Sequence, residues 1–194
     1  RLIILICFIQ TLSTEAYSKS TILFLGDGMG ITTITAARIY EGQVKGIDGE
    51  SHSLSFESFE NVAFVKTYSA DAQIPDSAGT MSAIMTGQKT RSGVISVGPK
   101  YKRGDCESVL LDSRTTLLEL AEKAGLKTGI ITTARITDAT PAATYAHASD
   151  RTWENDEKVP QESREKGCTD IAQQLIGFPF GDGIDLAFGG GRSN

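Results

Sequence analysis

Asp27 stands in Gly26-Asp27-Gly28-Met29-Gly30, directly after an apolar run. A carboxylate flanked by glycines lets a ligand approach the backbone and suits a hard or borderline metal ion. The same residue can equally cap a following helix. The stretch is not a dinucleotide fingerprint, because a GxGxxG motif begun at Gly26 needs glycine where Ile31 stands. Ser77, in Pro75-Asp76-Ser77-Ala78-Gly79-Thr80, falls at the start of an expected helix, where free N–H groups and the dipole favour an anion. It reads as a cap, or as a nucleophile that needs a base or a metal to activate it. Pro75, two residues earlier, excludes the GxSxG elbow. Asp138 and Thr140, in Thr137-Asp138-Ala139-Thr140-Pro141, are two apart in a segment expected to be extended, so both point the same way and offer two oxygens to one Mg²⁺. A plain helix cap before Pro141 is the alternative. Arg151 supplies a planar guanidinium that suits bidentate contact with phosphate, or is simply a surface residue. Metal carboxylates, a serine at a helix N-terminus and an arginine together serve a phosphoryl group.

These residues need a scaffold that gathers them, and the hydrophobic pattern supplies one. Residues 21–25 form a nearly all-apolar run, as a strand buried on both faces does. A helical stretch follows through Ile31, Ile34 and Ile39 and is expected to stop at Gly42. Residues 43–60 are polar and glycine-containing, a surface connection. Residues 61–68 read as a second strand, Ser77 to Thr86 as a helix ended by Gly87, and residues 94–97 as a short strand. Residues 99–105 make a basic turn. The clearest helix spans residues 115–124, with Leu117, Leu118, Leu120 and Ala121 as its apolar face and Gly125 as its stop. Residues 127–133 hold the next buried strand, Pro141 marks the first turn of a short helix, and a charged segment runs over residues 151–166. Another helix covers residues 169–176. The last strand covers residues 184–188 and runs into Gly189-Gly190-Gly191. Strands alternating with helices predict an α/β fold: a doubly wound, mostly parallel sheet flanked by helices. In such a sheet, reactive groups collect at the carboxyl ends of the strands, where all three clusters fall.

The composition agrees with a folded globular domain. Of 194 residues 40% are hydrophobic and 22% charged, and the formal charge of −5 leaves no basic stripe for a nucleic-acid backbone. Arg1 precedes an apolar run, Leu2 to Ile9, that is too short for a bilayer, which needs roughly 20 residues. Small residues follow, so residues 1–16 read as a partial secretory signal peptide, or else as a buried first strand. The missing initiator Met and the stop just after a strand make the chain look like part of a longer one. Export leaves Cys106 and Cys168 as an even pair in an oxidising compartment, either bonded or two buried thiols.

From Tyr17 onward the chain resembles the alkaline phosphatases. The carrying blocks are Leu23-Phe24-Leu25-Gly26-Asp27-Gly28-Met29-Gly30, then Pro75-Asp76-Ser77-Ala78-Gly79-Thr80, then Thr137-Asp138-Ala139-Thr140-Pro141-Ala142. Tyr145-Ala146-His147 with Arg151 and Trp153, and Gly189-Gly190-Gly191-Arg192, match as well. The resemblance implies that residues 17–194 are the N-terminal part of one phosphatase domain. It implies hydrolysis of phosphate monoesters through a phosphoserine at a site holding two zinc ions and one magnesium ion. Asp27 would bridge a zinc and the magnesium, Ser77 would be the nucleophile and touch zinc, Asp138 and Thr140 would hold magnesium, Arg151 would bind phosphate, and Asp76 would orient Arg151. His147 falls at a structural position, and the pair Cys106 and Cys168 matches a disulfide of the animal enzymes. The Asp138/Thr140 pairing follows the common bacterial pattern. The resemblance further implies a homodimer that is periplasmic, secreted or at the cell surface. The remaining ligands of the family lie in a second half, so this stretch alone is expected to be inactive.

Two rivals remain at this level. A serine hydrolase would need His147 within reach of Ser77 and would work without metal. A secreted binding domain would use the loop at Asp27 for a metal and gain nothing from the Ser77 hydroxyl.

Overall fold

The computed structural model describes residues 20–192. The expected signal segment, residues 1–16, lies outside the described residues. In chain order the elements are α1 (Ile31–Val44), a 3-10 turn (Ser55–Ser58), α2 (Ser77–Thr86), α3 (Glu107–Asp112), α4 (Leu117–Lys123), β1 (Gly129–Arg135) and α5 (Ala139–Tyr145). A second 3-10 turn (Asp156–Lys158), α6 (Gln161–Glu165), α7 (Ile171–Ile176) and β2 (Leu186–Gly190) complete the order. β1 and β2 pair in parallel, with Gly129 opposite Leu186 and Ile131 opposite Phe188, and α5 to α7 make the crossover between them. That is the expected α/β arrangement. No described helix is long and apolar enough to cross a membrane.

The core lies where α2, α4, α5 and α7 meet the inner face of β1. It contains Ala78, Met81, Met85, Ile95, Leu118, Ile130, Ala139, Ala142, Ala143, Tyr145 and Ile171. Alanines on α2 and α5 let the two helices pack closely, and Ala78, Ala139, Ala142 and Ala143 are wholly buried. On the other face of the strand pair, Ile131 is 74% and Phe188 60% exposed. A second small core of Trp153, Val159, Cys106 and Cys168 surrounds a disulfide between the two cysteines. The even pair is therefore bonded.

Local signals placed α2 well. Asp76 caps it, its side chain accepting from Gly79 N–H at 3.0 Å, and Gly87 ends it in the left-handed conformation at φ 72°. Thr116 and Glu119 form a capping box at the start of α4. Its buried face differs from the expected one: Leu118, Glu119 and Glu122 point inward, while Leu117 and Leu120 are more than half exposed. Two carboxylates are tolerated inside because each has a partner. Glu119 meets His147 Nε2 at 2.6 Å, and Glu122 Oε1 accepts from the Thr128 hydroxyl.

Gly42 does not end α1, which runs on to Val44. A Cβ there would lie 2.9 Å from Asp48 O and 3.0 Å from His52 Cβ, so the glycine is the landing point for the following loop. Gly189 and Gly190 likewise belong to β2 rather than to a loop. A Cβ on Gly189 would sit 2.8 Å from Thr132 Cγ2, so only glycine allows this approach to β1.

Two expected strands are not strands here. Residues 21–25 and 61–68 carry no regular structure and have no ladder partner among the described residues, and their apolar side chains face out: Phe24 is 88% and Phe64 91% exposed. A strand is stable only when a neighbour takes its N–H and C=O groups, and apolar character alone does not supply that neighbour. The end of the second run is tethered instead by Lys89, whose Nζ donates to Lys66 O and Tyr68 O at 2.7 Å each. Residues 94–97 are buried but contribute only isolated bridges, Ile95 with Ala148 and Val97 with Ser113.

Candidate active site

α2 and α5 enter the site by their N-termini, and both caps are aspartates. Asp76 Oδ1 holds Gly79 N–H, and Oδ2 accepts from Gly93 N–H at 3.0 Å and from Arg151 at 3.1 Å. Asp138 caps α5 by accepting from Ala139 N–H at 2.7 Å, and the same Oδ1 accepts from Arg151 at 3.1 Å. The cap reading of Asp138 is thus correct, and it coexists with a place in the site. Arg151 is no surface residue. Its guanidinium is suspended between two carboxylates from two helix starts, and its backbone N–H is pinned to Gly93 O at 2.8 Å.

Ser77 is the first residue of α2. Because Asp76 performs the capping, the Ser77 hydroxyl is released from that task and has no hydrogen-bond partner among the described residues. Thr140 lies in the first turn of α5, so the expectation of an extended segment over Asp138 and Thr140 is corrected. A helix starts there because the Asp138 cap and Pro141, with its fixed φ and missing N–H, both favour a first turn. Thr140 nevertheless faces the site, donating its hydroxyl to Asp27 Oδ2 at 2.6 Å. Asp27 does not cap α1: Gly30 is the cap residue, with no side-chain hydrogen bond. All six expected residues are therefore joined. Asp27 meets Thr140, whose helix is capped by Asp138. Arg151 links Asp138 to Asp76, and Ser77 adjoins Asp76.

Burial of Asp76 pushes its carboxyl up. The Gly79 and Gly93 N–H groups and the Arg151 guanidinium outweigh this and hold it below the usual carboxylate range. Asp76 is thus a fixed anion that keeps Arg151 in place. His147 is committed elsewhere, with Nδ1 2.9 Å from Ser96 O and Nε2 on Glu119, which leaves no nitrogen for Ser77 and removes the basis of the serine-hydrolase rival. Ser96 itself sits at φ 47°, a left-handed value unusual for serine, secured by hydrogen bonds to Ser82 Oγ and Ala143 O at 2.8 Å each.

Arg135 and Glu154 adjoin the site without belonging to any of its sequence motifs. Arg135 closes β1, three residues before Asp138, and its guanidinium comes within 3.4 Å of Asp138 Oδ2. Its place at the carboxyl end of a strand was the available signal. Glu154, which grips Arg135, sits in a charged segment and gave none.

Asp27 and Thr140 bring two oxygens together, and Asp138 at the head of the same helix as Thr140 offers a third, a donor chemistry that suits a hard cation such as Mg²⁺. No three His, Cys, Asp or Glu side chains among the described residues converge closely enough to hold a metal by themselves. The family model for alkaline phosphatase matches residues 18–194.

The chain belongs to the alkaline phosphatase family. It is 44% identical over 95% of its length to the human tissue-nonspecific alkaline phosphatase isozyme, and covers 34% of that protein. It is also 44% identical over 95% of its length to an alkaline phosphatase of the cod Gadus morhua, covering 38% of it. The chain thus spans about a third of the length of these alkaline phosphatases. Among solved structures it resembles the alkaline phosphatase of the Antarctic bacterium TAB5, with a TM-score of 0.51 and 29% identity over 64% of this chain and 31% of that one. A variant of that enzyme with Mg bound in its M3 site gives a TM-score of 0.53 at 28% identity, over 73% of this chain and 33% of the other.

Proposed function

We propose that this chain is the N-terminal part of a single, longer phosphatase domain that hydrolyses phosphate monoesters through a phosphoserine on Ser77. The observation that carries the reading is Arg151, held between Asp76 and Asp138 beside an uncommitted serine at the head of α2. The phosphoryl group is received by the Arg151 guanidinium and by the N-terminal end of α2, where unpaired N–H groups and the dipole favour negative charge. Asp76 aims the guanidinium, so that its donors face the transferring oxygens rather than solvent. Ser77 Oγ attacks phosphorus, the ester oxygen leaves with the alcohol, and water then cleaves the phosphoserine to release phosphate and restore the serine.

Asp138 and Thr140 would hold a magnesium ion, and Asp27 would stand between it and one of two zinc ions. Bound there, the metals would lower the pKa of the Ser77 hydroxyl and offset charge on the phosphoryl oxygens. Asp27, Asp138, Thr140 and the Ser77 hydroxyl cannot by themselves satisfy three ions, so the 194-residue chain alone is proposed to be inactive. Phosphate monoesters are the proposed substrates, a homodimer the proposed assembly, and export to the periplasm, cell surface or medium the proposed destination. One relative, from Bombyx mori, is a membrane-bound alkaline phosphatase.

The test is hydrolysis of a chromogenic phosphate monoester at alkaline pH by the complete protein, wild type and Ser77→Ala, with and without chelator. Loss of activity by a factor of at least about a thousand in Ser77→Ala, and loss on chelation, are expected. Activity that survives chelation would overturn the metal-assisted mechanism. A fully metallated wild type with no activity would favour a binding domain.

A further inference from the structure

The charges around Asp138 continue beyond Arg151 into a second arm. Arg135 donates from Nε to Glu154 Oε2 at 2.7 Å and from a terminal nitrogen to Oε1 at 3.0 Å, a fork-on-fork pair. Glu154 is firmly seated: its side chain is 8% exposed, and Oε2 also accepts from the Thr137 hydroxyl at 2.8 Å. Behind it, Trp153 packs against the Cys106–Cys168 disulfide, and Ile171 N–H donates to Trp153 O at 2.8 Å. Burial raises the Glu154 carboxyl, but the Arg135 and Thr137 hydrogen bonds outweigh it and keep the group an anion.

The grip has a consequence for Asp138. The nitrogen of Arg135 that serves Glu154 Oε1 is also the one 3.4 Å from Asp138 Oδ2, longer than a charge-assisted hydrogen bond of about 2.7–2.9 Å. Glu154 therefore both neutralises Arg135 and restrains it from closing on Asp138. Asp138 Oδ1 is already taken by Ala139 N–H and Arg151, so Oδ2 is the oxygen left for a cation. From this juxtaposition we infer that Glu154 and Arg135 form a latch that sets the cation affinity of the Asp138–Thr140 pair. Arg135 is a positioning residue that competes with the cation for Asp138 Oδ2, and Glu154 limits that competition. The inference rests on the proposed cation site.

The two members of one ion pair then act with opposite signs. Arg135→Gln removes the guanidinium from Asp138 Oδ2, while Glu154 keeps Lys158 at 3.7 Å and the Thr137 hydroxyl, so Mg²⁺ binds more tightly, by roughly three- to tenfold for partly exposed charges. Glu154→Gln releases Arg135 onto Asp138 with its full charge, so Mg²⁺ binds more weakly by a similar factor. The double variant returns close to wild type, which also shows that the site still folds. The measurement is calorimetric titration of Mg²⁺ alone into the metal-depleted complete protein, with Asp138→Ala as reference. Opposite shifts in the single variants, a compensated double variant and weakened binding in Asp138→Ala support the latch. If Asp138→Ala weakens binding but the two single variants shift together or not at all, the latch is overturned and the cation site stands. If Asp138→Ala leaves binding unchanged, the cation site falls and the latch with it.

Discussion

The site has two unlike halves. Asp76, Ser77, Asp138 and Arg151 belong to two helix starts and a loop that share the buried core, and each of the three charged groups has two or more partners within it. Asp27 lies in a turn after an irregular segment in which Ile22, Leu23 and Phe24 are 75%, 56% and 88% exposed, and Thr140 is its link to the other half. A helix satisfies its own backbone and needs only one apolar face covered, so a short stretch of chain can bring its site residue into position. An apolar extended segment depends on a partner strand for the same purpose. The helix half is therefore held by local caps together with Arg151 across the core, while among the described residues the Asp27 side chain is tied to the site by the Thr140 hydroxyl.

Substitutions can sharpen or break this contrast. The largest effect should come from the disulfide behind the Arg151 loop. Replacing Cys106 and Cys168 by Ser opens a link between residues 62 apart and should cost about 4 kcal/mol in urea unfolding under non-reducing conditions. Next, Ala142→Leu forces a larger side chain between α5 and its neighbours, where Ala142 is 0% exposed, and should cost about 1–3 kcal/mol in the same assay.

Asp76→Asn probes the helix half through pH. The Asp76 carboxyl titrates lower in the folded chain than in the unfolded one, so through that acidic window the unfolded chain binds more protons and stability rises with pH. The contribution is fully present above the ordinary carboxylate range and is lost as pH falls through the folded value. Unfolding temperatures measured between about pH 2 and 6 should therefore depend less on pH in Asp76→Asn than in the parent. The smallest effect belongs to the other region: Phe64→Ser, at a side chain 91% exposed, should change the stability of the 194-residue chain by less than about 0.5 kcal/mol. A cost equal to that of Ala142→Leu would erase the contrast between the two regions.

Legibility in the sequence followed the same division. The bounds of α2 are readable because Gly87 is a local stop signal, although its cap is Asp76 rather than Ser77, and the parallel α/β class follows from the alternation of runs. The leucines of α4 suggest the wrong inward face, because partners for Glu119 and Glu122, namely His147 and Thr128, come from elsewhere in the chain. Residues 21–25 and 61–68 have the composition of strands, but composition does not state which neighbour will complete them. Arg135 and Glu154 escaped notice because 19 residues separate a strand end from a charged loop, and nothing local joins them.

The sequence by itself determined which side chains are chemically able to act, and the bounds of α2 from Ser77 to Thr86. Both follow from residue type and from interactions a few positions apart. Only the tertiary structure decided that Asp27 hydrogen-bonds Thr140 rather than capping α1, that Arg151, which the resemblance pairs with Asp76, also reaches Asp138, and that His147 is spent on Glu119 and Ser96. Those pairings join groups far apart in the chain, and their partners are selected by which helices and loops pack together in one core.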